Sequence, residues 1–279
     1  MTLDAALVYA LLGLCSGTLS YFLFLRMPER WMRDVEPEGE VVPLPSPRLR
    51  FFPLGLVWIL VCAGLSVQAL ATHGSGVVAV LCAVALVPLS VLFATDCLTR
   101  ILPDQGVVAL AVVGVVLFAL DLVPSLAGAV PGSLSAGTPW YLEAASRVGA
   151  GLAGGLLLIG VGWIGSRLFA GGREAMGMGD VKLLAAAGLV SGIVGLLAVL
   201  LVAFVTGAVF AVPALVRKYG HRSEEPEEGA EADATADADA APVPDGTMPF
   251  GPFLVLGVVA VLFFQNVLAG IASWYLSLF

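Results

Sequence analysis

Apolar runs of about twenty residues, separated by short polar stretches, recur along the whole chain. Runs of that length match the hydrocarbon core of a bilayer. They occur over 4–25, 51–72, 76–95, 106–124, 147–170, 195–216 and 252–278, and each predicts a transmembrane helix. A shorter Ala/Gly-rich segment, 181–193, reads as an eighth span or a half-helix. The expected fold class is an all-α polytopic membrane protein with about eight transmembrane helices. Composition agrees with this: 59% of residues are hydrophobic, 12% are charged and the mean hydropathy is +0.99, whereas a soluble domain carries about 25% charge.

Charge fixes the expected orientation. The first span has no basic stretch ahead of it and no small-residue cleavage pattern after it, so it reads as a helix rather than a cleaved signal. Arg26, Arg30 and Arg33 follow it, which holds that end in the cytoplasm and puts the N-terminus outside. With 181–193 counted as a crossing, Arg48, Arg50, Arg100, Arg167, Arg173, Lys182, Arg217, Lys218 and Arg222 also fall inside. Twelve of thirteen basic residues then lie on one side, with Arg147 alone outside. If 181–193 did not cross, Arg217, Lys218 and Arg222 would move outside, so the bias favours eight spans with both termini outside.

The formal net charge of −8 comes from one segment. Residues 224–245 hold nine carboxylates and no base, leaving twelve acids against thirteen bases elsewhere. That stretch is too polar and too Pro/Ala-rich to bury a core, so 220–247 reads as a disordered acidic cytoplasmic loop. No basic face exists for nucleic acid. Cys15, Cys62, Cys82 and Cys97 stand singly, without a C-x-x-C pair, and His73 and His221 have no ligand partners close in sequence. No metal site is expected. No internal repeat suggests a transporter built from two halves.

Candidate chemistry lies at the predicted cytoplasmic edge. Asp96 closes the third span in "VLFATDCLTRILPDQ", and Asp180 opens the segment "GMGDVKLLAAAG". They are 84 positions apart yet reach the same edge, where the fold could bring them together. Two carboxylates in one site cannot both ionise easily, so one can act as base while the other holds a proton. Gly177 and Gly179 would allow a tight turn and close approach of a peptide. Against this stand plainer roles. Asp180 and Asp104 each precede an apolar helix and could be N-caps, and Asp96 with Arg100 at i+4 could be a surface ion pair.

"GMGDVKLLAAAG" resembles the GxGD signature of the type IV prepilin peptidases, a family of membrane aspartyl proteases. "ATDCLTRILPDQ" is similar to that family's other motif, an Asp followed at fixed distance by Arg-x-x-Pro-Asp or Pro-Asn. "MPFGPFLVLG" (248–257) resembles the segment that opens the family's last helix, and "GTLSYFLFLRMPER" (17–30) resembles its N-terminal motif. The resemblance implies a single membrane-embedded peptidase domain over 1–279. Its catalytic residues would be Asp96 and Asp180, with Gly177, Gly179, Lys182, Arg100 and Pro103 positioning the loops; Asp104 matches a position that is not catalytic.

The implied substrates are prepilins or pseudopilins of type IV pilus or type II secretion systems. They would be cut at the cytoplasmic face of the bacterial inner membrane, within the lipid bilayer and without a metal. Many bacterial members carry a Cys-rich insert between the first two helices and N-methylate the product. Here 26–50 is a short cytoplasmic loop without cysteine, so S-adenosylmethionine would be a cofactor only if methylation were kept. The alternatives are a proton- or cation-coupled transporter and an inactive relative in a secretion system.

Overall fold

A computed structural model describes residues 2–28, 52–122, 139–168, 177–221 and 250–277. Among these, every regular element is a helix: α1 (Leu3–Arg26), α2 (Phe52–His73), α3 (Val77–Thr99), α4 (Asp104–Asp121), α5 (Trp140–Leu168), α6 (Met178–His221) and α7 (Gly251–Leu276). Six are long and apolar enough to cross a membrane, and Asp104–Leu120 is a shorter apolar helix. Large apolar side chains such as Leu152, Leu197, Leu201 and Val209 are exposed, as expected where lipid rather than water is the solvent. The protein is an all-helical multi-pass membrane protein. Most of the interval 26–50 and nearly all of the acidic segment 220–247 lie outside the described residues.

Two boundaries differ from the sequence expectation. α3 runs on to Thr99, which puts Cys97 inside the helix. α5 starts at Trp140 rather than near 147, because Glu143, Ser146 and Arg147 interrupt the apolar pattern without breaking the helix. Arg147, expected at the outer edge of that span, is 2% exposed within α5.

The main departure from simple threading is in α6, which is two helical arms joined at Gly192. There φ is 66° and ψ is −178°, a backbone open essentially to glycine alone. The first arm, 178–191, starts beside Leu102 and Asp104 and ends with Leu189 against Gly114 and Gly151. The second arm runs back along α7: Gly195 meets Val261, Gly257 meets Val199, and the Phe204 and Phe250 rings pair at 5.8 Å. Since Gly251 sits on Asp96 and Leu102, the second arm returns to the end the first arm left.

The first arm rises about 21 Å at 1.5 Å per residue, less than the roughly 30 Å hydrocarbon core. The side to which the chain returns therefore does not depend on whether this arm counts as a crossing.

Helices meet through small residues, as membrane helices do when no water drives them together. A Cβ at Gly13 would lie 2.6 Å from Ala63 Cα, and one at Gly154 would lie 2.9 Å from Leu184 O. A second irregularity, at Phe264 of α7 (φ −126°, ψ 25°), frees carbonyls inside the bundle. α2 satisfies two of them: Thr72 Oγ1 donates to Phe263 O at 2.8 Å and His73 Nε2 to Leu262 O at 2.7 Å.

Candidate active site

α3 delivers Asp96 in its last turn. The helix stops because Arg100 turns left-handed (φ 56°, ψ 24°) and donates its N–H to Asp96 O at 3.0 Å, satisfying one of the carbonyls a helix end leaves open. Three residues later Pro103, with φ −66°, takes the N-cap position of α4. The Arg-x-x-Pro spacing thus ends one helix and starts the next within a short link. Leu102 projects from that link to meet the glycines on both sides of the site.

Those glycines belong to two other elements. Gly179 in the first turn of α6 packs on Leu102, its Cβ position 3.1 Å from Leu102 Cβ. Gly251, which opens α7, lies 3.2 Å by the same measure from Leu102 Cδ1, and a Cβ there would collide with Asp96 Oδ2. Leu102 therefore sets the spacing between the turn that carries Asp180 and the helix start that covers Asp96.

Asp96 is 4% exposed, and its Oδ2 is buried without a hydrogen-bond partner. The Gly251 backbone N–H faces the same carboxyl. Asp180 is half-buried, and the charges of Asp180 and Arg100 are both felt at Asp96. A buried carboxylate oxygen left unpaired is costly, and such groups concentrate where chemistry is done.

The remaining sequence candidates fall around this pair. Gly177 accepts the Asp180 N–H at 3.2 Å across the first turn of α6. Lys182 donates to both oxygens of Asp104, at 2.8 and 2.9 Å. The capping roles considered for Asp104 and Asp180 do not hold. Pro103 occupies the α4 N-cap, Asp104 is the first helical residue and gives its carboxylate to Lys182, and α6 begins two residues before Asp180. Sequence reasoning did not single out Leu102 or Gly251, although Gly251 lies inside the quoted "MPFGPFLVLG".

Fold and site together define a multi-pass helical membrane protein with two aspartates meeting at one end of its bundle. Residues 83–212 match the type IV leader peptidase family; that stretch holds Asp96, Asp180 and both arms of α6 as far as Val212. Over that stretch the chain is similar to the type IV leader peptidase family. Two curated proteins named prepilin leader peptidase/N-methyltransferase, one from Aeromonas salmonicida (strain A449) and one from Aeromonas salmonicida, are each 31% identical over 138 residues. The aligned stretch covers 49% of this chain and 38% of each relative, so the chain spans well under half the length of these relatives. No solved structure matches.

Proposed function

We propose that the chain is an aspartic endopeptidase that removes the leader from type IV prepilins or pseudopilins at the cytoplasmic face of the bacterial inner membrane. The observation that carries this reading is the convergence of Asp96 and Asp180 on one partly buried site within the family-matched stretch. Two carboxyls in such a site hold one proton between them over a range of pH. The ionised carboxylate takes a proton from water as its oxygen attacks the scissile carbonyl carbon, while the protonated partner gives its proton to the carbonyl oxygen. The tetrahedral adduct then collapses, the departing nitrogen takes up a proton, and the C–N bond breaks. No side chain is acylated.

Several features support the sidedness. Arg26, Arg100, Arg167 and Lys182 close or open helices at the end of the bundle that holds the aspartates, the pattern of a cytoplasmic edge. Both aspartates lie at that one end, whereas a proton or cation path needs titratable groups strung across the bundle.

Methyl transfer, named for the relatives, calls for S-adenosylmethionine, whose amino acid and sulfonium need charged or polar partners. A cavity of about 570 Å³ between α2, α3 and α7 is lined by Trp58, Leu89, Phe93 and Val255, with Ser90 and Cys97, and by no charged residue. It does not fit that group. The test is to incubate the purified protein with a membrane-anchored substrate that carries a short basic leader ahead of an apolar helix. Mass spectrometry should find one cut at the leader boundary, and an intact substrate after long incubation contradicts the reading.

A further inference from the structure

The first arm of α6 carries Asp180 at one end and stops at Gly192 at the other. Where a helix stops, its last carbonyls lose their N–H partners, and inside a membrane no bulk water replaces them. Arg147 meets that need. Its guanidinium donates to Val190 O through a short hydrogen bond and to Leu189 O at 3.4 Å. The side chain reaches them from α5, where it is 2% exposed. A planar fork of N–H donors suits two adjacent carbonyls. Its positive charge also stands at the negative end of the arm's dipole, while Asp180 stands in the first turn at the positive end.

We propose that Arg147 is a positioning residue for the reaction: it pins the inner end of the 178–191 arm and so holds Asp180 in register with Asp96. The inference rests on the peptidase reading above. The arm is a rigid rod about 21 Å long, packed on α5 through Gly188 against Ala150 and Gly154 against Leu184. Release of its inner end lets the rod tilt, and the tilt appears at Asp180. A displacement of about 1 Å at a reacting group can cost about a hundredfold in rate.

The experiment compares Arg147→Met, which keeps an unbranched apolar stem but cannot donate to a carbonyl, with Arg147→Lys, which still can. Both are assayed for cleavage as purified full-length protein, and backbone hydrogen exchange is followed helix by helix. Arg147→Met should lower kcat by at least about thirtyfold with KM within about threefold. Exchange should rise in 178–191 and stay unchanged in α3 and α7. Arg147→Lys keeps the charge and an N–H donor but not the planar fork, so it should recover kcat only in part, to within about tenfold of wild type.

Wild-type kcat in Arg147→Met overturns the inference, and so does an exchange increase spread evenly over all helices. If Arg147→Met does not accumulate, Arg147→Lys decides: a kcat within about tenfold of wild type with a protected arm supports the inference, and a loss of about thirtyfold with a protected arm overturns it. An inactive wild type would sink the peptidase reading instead, and arm-selective exchange would then judge Arg147 alone.

Discussion

Gly251→Ala adds one methyl group at the point where α7 closes over Asp96. The position has no left-handed backbone to strain, so the effect is steric. The new Cβ would overlap Asp96 Oδ2 and stand 3.0 Å from Asp96 Cγ and 3.2 Å from Leu102 Cδ1. Ordinary carbon contacts need about 3.5–4.0 Å, so the carboxyl or the start of α7 must move by roughly 1 Å. Overpacking of this kind costs about 1–3 kcal/mol of stability, which a membrane protein with this many interhelical contacts should survive. A 1 Å error in the placement of a reacting carboxylate is worth about a hundredfold in rate, or roughly 2.7 kcal/mol.

The assay is steady-state cleavage of a leader-bearing substrate by purified Gly251→Ala, with Gly207→Ala as control. At Gly207 the nearest atom to a new Cβ is Phe253 Cδ2 at 3.6 Å, an ordinary contact. Gly251→Ala should be slower by about a hundredfold and Gly207→Ala near wild type. A folded Gly251→Ala enzyme within threefold of wild type would refute the claim that Asp96 is held at a reacting position by the start of α7.

Three further outcomes are expected. Gly192→Ala places a Cβ on a backbone nearly reserved for glycine (φ 66°, ψ −178°); it should destabilise the arms by about 1–3 kcal/mol, read as a lower unfolding midpoint in detergent, and an unchanged midpoint would contradict the reversal. Asp104→Asn weakens the bridge to Lys182, whose side chain is 47% exposed against 62% for Asp104. Because exposed pairs contribute about 0–1 kcal/mol, cleavage should fall less than about tenfold, and a complete loss would give Asp104 a role beyond this contact. Reporter fusions after Gly106 and at Phe279 should report opposite sides of the membrane, as the basic-residue bias requires; matching sidedness would overturn the expected topology.

Much of the fold is legible in the sequence because apolar run length is a direct readout of bilayer thickness. The starts of α2, α3 and α7 lie within a residue or two of the apolar runs that announce them. The reversal at Gly192 is different in kind. "GLVSGIVGLL" is apolar on both sides of the glycine, so hydropathy reports no break, and only the charge of Arg217, Lys218 and Arg222 hints that the chain returns.

The contacts of Arg147 escaped the sequence for a related reason. A base at the start of an apolar run reads as an edge residue, and sequence cannot show that open carbonyls 42 and 43 positions away are waiting for it. At the candidate site, the motifs single out Asp96 and Asp180, but the distance between them in sequence says nothing about the Leu102–Gly179–Gly251 contacts that set their spacing. Asp104 was read as a cap because Asp before an apolar helix usually is one. Pro103 already holds that position, and Lys182 draws the carboxylate elsewhere.

The central claim is that Asp96 and Asp180 are the acid and base of peptide cleavage. Asp96→Asn and Asp180→Asn test it most directly, since asparagine keeps size and hydrogen-bonding shape but cannot exchange a proton near neutral pH. Each variant, purified at wild-type yield and assayed on the same leader-bearing substrate, should show no cleavage above the no-enzyme background. If either one cleaves at a rate near that of wild type, the two-aspartate mechanism is wrong.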